Sequence, residues 1–407
     1  MSTTSIALPA RPGGGQLAAW GSVALLLVGA LYLWQAISPA QAALLMVGGA
    51  LGVVLYHAAF GFTAAWRLFI AERRGRGLRA QMIMLAVAVL LFFPLLDAGS
   101  AFGTPVSGYV FPVGVAVVVG SFLFGLGMQI GGGCASGTLF TVGGGNARMV
   151  ITLLGFIAGS VLATHHVDWW WGLPAFEAVS LVEGLGVGGG LVLSLALFAT
   201  VYAGTILLER RRHGGLEAVS ASTASGWQCL IHGPWPLIAG ALALAVLNAL
   251  VLVLSGKPWG ITSAFALWGA KGLETVGVDV AQWGYWELPG NAEALQAGVL
   301  QHATTVVNIG IILGALLAAV LAGRFAPSLR IPPRAVAASI LGGLLLGYGA
   351  RLAFGCNIGA YFGGIASGSL HGWLWLVFAF LGNMVGVRLR PWFFGDEGAG
   401  RREPASC

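Results

Sequence analysis

Two cysteines lie in closely similar phrases, one in each half of the chain. Cys134 stands in GLGMQIGGGCASGTLF (residues 125–140) and Cys356 in GYGARLAFGCNIGAYF (residues 347–362), with glycines at matching positions around each cysteine. A thiol offers a weak S–H donor and a polarisable sulfur surface. A pair of thiols therefore suits either a soft, sulfur-containing anion or a dithiol redox reaction. Packing is the common role of a lone buried cysteine, but the repetition favours a shared function.

The glycines before each cysteine predict that a helix breaks at that point. Each glycine in a helix interior costs roughly 1 kcal/mol relative to alanine. A helix that stops at Gly133 or Gly355 and begins again at the cysteine leaves backbone N–H groups at a positive helix end, where an anion is favoured. We therefore expect residues 131–137 and 355–359 to line a narrow anion path.

A second phrase also occurs in both halves. GFTAAW, which begins at Gly61, matches GITSAF, which begins at Gly260, and the match aligns Thr63 with Thr262. The two phrases have the same order in each half, so the chain is predicted to contain a repeat. One extra apolar span separates the halves, and a single intervening crossing makes the second half enter the membrane from the opposite side. The sequence therefore predicts an inverted repeat.

Polar residues beside the cysteines complete the predicted substrate pathway. Gln129 aligns with Arg351, so one half has an amide where the other has a cation. An arginine at membrane depth is costly and is predicted to be functional, with a position at the end of a span as the alternative. Asn357 directly follows Cys356 and is included in the pathway. The predicted spans contain no acidic pattern that would indicate a carboxylate proton relay.

The composition indicates that the chain is a membrane protein. Hydrophobic residues make up 57% of the 407 residues and charged residues only 8%. Apolar stretches of about 20 residues recur, which is the length that crosses ~30 Å of hydrocarbon. We predict an all-α polytopic membrane protein with about ten transmembrane helices. The predicted spans are 18–36, 41–57, 80–97, 109–130, 149–165, 187–208, 235–254, 304–323, 335–352 and 371–388.

Four apolar, glycine-rich segments are too short to cross and are predicted to be re-entrant helical segments. Irregular backbone of this kind is tolerated at membrane depth only where protein or a cavity surrounds it. The four segments are residues 58–71, 131–146, 259–272 and 355–368. The chain then divides into an N-terminal segment with the first span (1–40), a first repeat (41–165), a connecting span with a cytoplasmic loop (166–234), a second, inverted repeat (235–390) and a cytoplasmic tail (391–407).

The charges predict the orientation. If the N-terminus lies in the cytoplasm and the spans alternate, most of the 20 basic residues lie on the cytoplasmic side, as the positive-inside rule requires. We therefore predict a multi-pass inner (plasma) membrane protein with both termini in the cytoplasm. The second half is longer between its two phrases, and we place this insertion in the outside segment 274–303. The arginines border the spans, so no nucleic-acid partner is indicated.

The remaining cysteines and histidines give no further site. Cys134 and Cys356 lack a C-x-x-C partner or a spaced histidine, and the Gly-x-Gly patterns are not in a soluble strand–helix unit, so no metal and no cofactor are predicted. The sequence assigns no role to Cys229, Cys407 or His371.

The chain resembles the YeeE/YedE family of sulfur-transport membrane proteins. The resemblance rests on GGGCASG around Cys134, FGCNIGAYFGGIASGSLHGW around Cys356 and the GFTAAWR phrase from Gly61, and it covers most of residues 45–390. It implies an inner-membrane fold of two inverted halves with re-entrant helices that meet at a narrow centre. It also implies thiosulfate uptake, in which the two cysteines pass the anion by transient S–H to sulfur hydrogen bonds. Family members are further linked to a small soluble cytoplasmic sulfur-carrier protein.

The sequence differs from that family at Gly61, where relatives often have a cysteine that opens a C-F-T-x-A phrase. A relay of three thiols is thereby reduced to two. The sequence predicts a transporter or facilitator, and not an enzyme, for uptake of a small sulfur-containing anion, with thiosulfate as the first candidate. Two alternatives stay open: a membrane-embedded dithiol oxidoreductase that cycles Cys134 and Cys356, and a selective channel for another small anion or a selenium species.

Overall fold

The computed structural model describes residues 14–217, 226–325, 327 and 330–395 of the chain, and this part is almost entirely helical. In chain order the helices are α1 (Gly14–Ala36), α2 (Pro39–His57), α3 (Phe62–Glu72), α4 (Arg76–Ala98), α5 (Val115–Gly131), α6 (Ala135–Gly143), α7 (Ala147–Trp171), α8 (Leu181–His213), α9 (Trp227–His232), α10 (Leu237–Ser255), α11 (Thr262–Thr275), α12 (Gly284–Glu287), α13 (Pro289–Gln296), α14 (Ala303–Leu321), α15 (Pro333–Leu352), a π-helix (Asn357–Gly363), α16 (Gly364–Ala366) and α17 (Leu370–Phe394).

Ten helical stretches of the described residues are long and apolar enough to cross a membrane, which confirms the predicted number of about ten. In two of these stretches a long helix is followed closely by a short one, α2 by α3 and α5 by α6. Short helical segments thus lie at all four places where the glycine-rich segments were predicted: α3, α6, α11, and the π-helix with α16. The π-helical geometry of the last one was not predicted.

The predicted span 109–130 begins too early. Its helix, α5, starts only at Val115, with Gly114 in extended backbone as its N-cap. Pro112 disfavours helical backbone at Phe111, so the helix does not run back to Tyr109. Residues Val113–Gly114 instead pair as an antiparallel strand with Ala175–Phe176. A second pair of two-residue strands, Ser100–Ala101 and Thr104–Pro105, follows α4. The start of the predicted span is therefore extended chain that leads into the helix.

Helices α5 and α15, which precede the two cysteines, pack against each other in opposite directions. A side chain at Gly120 of α5 would collide with the backbone of Gly349, and a side chain at Gly342 of α15 would collide with the backbone of Gly131. Glycine at these positions lets the two backbones approach closely. The pairing of early residues of α5 with late residues of α15 shows that the helices are antiparallel. Each helix therefore ends beside the interior of the other, and their C-terminal ends point in opposite directions.

The other contacts between the halves come in matching pairs. Helix α7 packs on α15 as α17 packs on α5, and α2 packs on α14 as α10 packs on α4. The short segments follow the same rule, since α11 contacts α7 and α3 contacts α17. Exchanging the two halves therefore leaves this set of contacts unchanged.

Helix α8, which connects the halves, extends beyond its predicted end and includes Glu209. The Glu209 side chain is 0% exposed, and its Oε2 accepts hydrogen bonds from Arg79 Nη1 at 2.7 Å and from the Gly75 backbone N–H at 3.0 Å. The connecting helix is thereby attached to the turn between α3 and α4. Cys229 in α9 is disulfide-bonded, and Cys407 lies outside the described residues.

Candidate functional site

Each repeated cysteine phrase begins a short helix at its cysteine, as the sequence predicts. Cys134 is the N-cap of α6 and Cys356 is the N-cap of the π-helix. Both are free thiols, 1% and 0% exposed. The thiol of Cys134 accepts the Gly137 N–H at 3.4 Å, and that of Cys356 accepts the Ile358 N–H at 3.4 Å. These two amides thus contact the cysteine's own sulfur.

The fold brings the two cysteine segments together. Helix α6 contacts the π-helix, and the thiols of Cys134 and Cys356 are close enough to interact electrostatically. The two segments come from helices with opposite directions, so the thiols approach one another from the two ends of the α5–α15 pair. This arrangement can offer a small anion two sulfur groups in succession.

In each half, the polar residue five positions before the cysteine donates a hydrogen bond to the threonine of the GFTAAW or GITSAF phrase in the same half. Gln129 Nε2 donates to the Thr63 carbonyl oxygen at 3.1 Å, and Arg351 Nη2 donates to Thr262 Oγ1 at 3.4 Å. Gln129 Nε2 also donates to Asn383 Oδ1 at 2.7 Å. The sequence aligns Gln129 with Arg351 and Thr63 with Thr262. In the structure the aligned residues make equivalent contacts, one in each half.

Several buried polar atoms near the thiols have no hydrogen-bond partner among the described residues. They include both polar side-chain atoms of Asn357, which is 0% exposed. The Thr63 hydroxyl lies next to the Cys134 thiol and can share a hydrogen bond with it. A buried polar group without a partner costs about 1–3 kcal/mol. The polar atoms of Asn357 are therefore free to bind a polar ligand or a water.

A cavity of about 800 Å³ leads to the π-helix that Cys356 begins. Gly355 and Gly359 form part of its wall. We call this cavity the vestibule. Arg351, Lys257, His302 and Glu293 also line it, and the two cations against the one exposed carboxylate leave the vestibule with a net positive charge. An anion is therefore favoured there.

Arg351, in the last turn of α15, is held in the wall of the vestibule. It is 7% exposed, donates to the Tyr285 hydroxyl and lies with its guanidinium carbon 4.9 Å from the centre of the Tyr285 ring. Among the described residues, its Nε has no hydrogen-bond partner and no salt bridge includes it. Tyr285 belongs to α12, inside the predicted insertion 274–303, so this insertion forms one wall of the vestibule.

His302 adds no charge to the vestibule near neutral pH. It caps the start of α14, just outside the membrane-spanning helix, and its Nδ1 lies 3.1 Å from Thr305 Oγ1. Burial, together with the positive charges of Arg351 and Lys257, lowers the pKa of His302 to about 4. His302 is therefore neutral at pH 7 and acts as a polar wall.

Sequence reasoning missed Tyr109, which lines the vestibule and packs against the π-helix. A side chain at Gly260 would come within 2.9 Å of the Tyr109 hydroxyl, and a side chain at Gly363 would come within 3.1 Å of the Tyr109 ring. The Tyr109 backbone N–H is fixed by the Ser367 hydroxyl at 2.9 Å. Tyr109 belongs to the irregular segment before α5 and to neither repeated phrase, so no sequence signal identified it.

The remaining predicted positions differ in how tightly they are packed. Gly355 has φ of 154°, and a side chain there would come within 2.8 Å of the Ala360 backbone nitrogen. Gly133 lies against the flexible side chain of Met149. Gly61 is the N-cap of α3 and has room for a side chain, because a Cβ added there would lie 3.8 Å from its nearest neighbours.

His371, to which the sequence assigned no role, is buried near the start of α17. Its Nδ1 lies 2.7 Å from Ser369 Oγ, and a side chain at Gly364 would come within 2.7 Å of its ring. The histidine is therefore packed against the helical segment that follows Cys356.

Comparison with known proteins gives a family. The family described as sulphur transport matches residues 57–385. The chain is 30% identical over 356 residues to the thiosulfate transporter TsuA of Spirochaeta thermophila, covering 83% of this chain and 96% of that protein. It is 26% identical over 352 residues to the thiosulfate transporter TsuA of Escherichia coli, covering 83% of this chain and 91% of that protein. It is 31% identical over 156 residues to the probable transporter YedE of Escherichia coli, covering 38% of this chain and 37% of that protein.

The family match extends across both cysteine phrases, and the relatives are named as transporters and not as enzymes. The ten candidate membrane spans agree with such a protein. The chain is therefore a multi-pass membrane transport protein that belongs to the sulphur transport (YeeE/YedE) family.

Proposed function

We propose that the protein takes up thiosulfate through the inner membrane along a path that contains both free thiols. The observation that carries this proposal is the approach of Cys134 and Cys356, each at the start of a short buried helix, with unpartnered polar atoms beside them. Two relatives that match most of the chain are named thiosulfate transporters. Soft thiol groups suit the terminal sulfur of thiosulfate better than they suit a hard oxyanion.

The path runs from the vestibule to the far end of α5. Arg351 and Lys257 attract the anion into the vestibule, where Tyr109 and the π-helix form part of the wall. The terminal sulfur of thiosulfate then accepts an S–H hydrogen bond from Cys356 and next from Cys134. The Thr63 hydroxyl and the Asn357 amide supply further hydrogen bonds, which replace part of the lost hydration. No covalent bond forms at any step.

We further propose that the fold consists of two inverted repeats with four re-entrant segments. The antiparallel packing of α5 on α15 supports this arrangement, because these two helices carry the same phrase. The matching contacts between the halves support it as well. In this orientation the vestibule faces outward, both termini lie in the cytoplasm, and a small soluble sulfur-carrier protein receives the anion on the cytoplasmic side.

Uptake of ³⁵S-thiosulfate by proteoliposomes tests this function. We expect saturable uptake that unlabelled thiosulfate abolishes and that equal concentrations of sulfate or formate reduce much less, because only thiosulfate has a terminal sulfur. Equal inhibition by formate would favour a general anion channel and would contradict the proposal. A change in the number of free thiols during turnover would instead indicate the dithiol oxidoreductase.

A further inference from the structure

Three arginines lie together at the end of α5, opposite the end of α15 that carries Arg351. Arg148 of α7 donates through Nη1 to the Gly131 carbonyl oxygen at 3.1 Å, and Arg390 of α17 donates through Nη1 to the Gln129 carbonyl oxygen at 2.9 Å. Arg67 of α3 is close enough to Arg390 to interact electrostatically, as is Arg148. All three side chains are partly exposed. We call Arg67, Arg148 and Arg390 the arginine cluster.

The cluster has positive charge that the described residues do not neutralise by direct contact. None of the salt bridges between described residues includes a member of the cluster; Glu72 acts on Arg67 only at longer range. Arg148 and Arg390 both lie over the ring of Phe394, at 5.2 Å and 4.6 Å from its centre. Arg67 and Arg148 each repel Arg390, and a bound anion would relieve that repulsion.

The cluster is next to the break that precedes Cys134. Gly132 has φ of 84°, and a side chain there would come within 3.1 Å of Arg148 Nη1, so the guanidinium lies directly against the glycine backbone. Arg390 Nε is buried and has no hydrogen-bond partner among the described residues, which leaves a donor free for a ligand. The cluster thus lies on the side of Cys134 toward which the proposed path leads.

We propose that Arg67, Arg148 and Arg390 form an anion-binding site that holds a small divalent oxyanion such as thiosulfate as it leaves the path. The place of this site in transport rests on the proposed function, but the binding of an anion there does not. Two of the arginines also satisfy carbonyl groups at the end of α5. A purely structural role in capping that helix is the alternative that an experiment must separate from binding.

Arginine-specific modification of the purified full-length protein tests binding without requiring transport. The protein in detergent is treated with phenylglyoxal, and modification of each arginine is measured by peptide mass spectrometry. We expect thiosulfate or sulfate to slow the modification of Arg148 and Arg390. Arg388 lies on the same helix as Arg390, is exposed and is the internal control, so its modification should not change. Equal modification with and without the anion would overturn the proposal.

The same measurement separates a free anion from a lipid headgroup. Phosphatidylglycerol carries a phosphate that also suits an arginine cluster. Protection by thiosulfate in lipid-free detergent supports the proposal. Protection only after phosphatidylglycerol is added would show a lipid site and would contradict the proposal.

Transport from the two sides of the membrane then places the site in the path. In proteoliposomes of known orientation, Arg148→Gln combined with Arg390→Gln should raise the half-saturating thiosulfate concentration on the side of the cluster by roughly tenfold, as expected for lost hydrogen bonds to a charged group. The value on the vestibule side should stay the same, and Arg388→Gln should change neither value. A lower melting temperature with both values unchanged would show that the arginines only cap α5. Wild-type protein that moves no thiosulfate would refute the proposed function, while the modification experiment would still decide the anion site.

Discussion

Replacing Arg351 with glutamine gives the second half the residue that the first half has at the matching position, Gln129. The change removes one positive charge from the vestibule and the bonds of Arg351 to Tyr285 and Thr262. A hydrogen bond to a charged group contributes roughly 1.5–3 kcal/mol, and each 1.4 kcal/mol is about tenfold in affinity. If the guanidinium makes one such bond to the anion, Arg351→Gln raises the half-saturating external thiosulfate concentration roughly tenfold to a hundredfold.

Initial rates of ³⁵S-thiosulfate uptake at varied external concentration measure this effect. Arg351→Lys is the matched control, because it keeps the charge but loses the planar fork of donors. We expect it to lie between wild type and Arg351→Gln. Tyr285→Phe keeps the ring under the guanidinium but removes its hydroxyl partner, so it should have a smaller effect than Arg351→Gln. An unchanged half-saturating concentration in Arg351→Gln, with the protein folded, would refute the role of the vestibule charge.

Three other positions give further tests. Gly61→Cys should raise the maximal uptake rate, while Gly61→Ala should not. The position has room for a side chain, and Gly61 begins α3 as Cys134 begins α6. Equal maximal rates in the two variants would argue against a third thiol position in the relay. Glu209→Gln should lower the melting temperature, since breaking a buried ion pair costs roughly 3–5 kcal/mol, and a melting temperature equal to that of wild type would contradict this role. Because the pKa of His302 is lowered to about 4, His302 is neutral above about pH 5. His302→Gln should therefore leave the pH dependence of uptake between about pH 5 and 8 unchanged, and a shifted profile would show that His302 titrates.

The positions of the helices could be predicted from the sequence because they depend on local composition. Long apolar runs predicted the ten spans, and the glycines before Cys134 and Cys356 predicted where short helices begin. The insertion 274–303 could be placed from the unequal spacing of the phrases. These features depend on residues that are close together in the chain.

The walls of the site could not be predicted, because they join residues that are far apart in the chain. Tyr109 meets the π-helix only after α5 and α15 have packed, and Tyr285 meets Arg351 across the insertion. The approach of Arg148 to Gly132 likewise depends on how α7 packs against the end of α5. Each of these contacts follows from tertiary packing and leaves no periodic pattern in the sequence.

In the proposed path thiosulfate passes both buried thiols, and uptake by cysteine variants tests this most directly. Cys134→Ala, Cys356→Ala and the double variant would be reconstituted in equal amounts with wild type, and their folding would be checked by melting temperature. We expect each single variant to lose most of the ³⁵S-thiosulfate uptake and the double variant to lose no more than either one, since both thiols lie on one path. Wild-type rates in the folded double variant would contradict a path through the thiols.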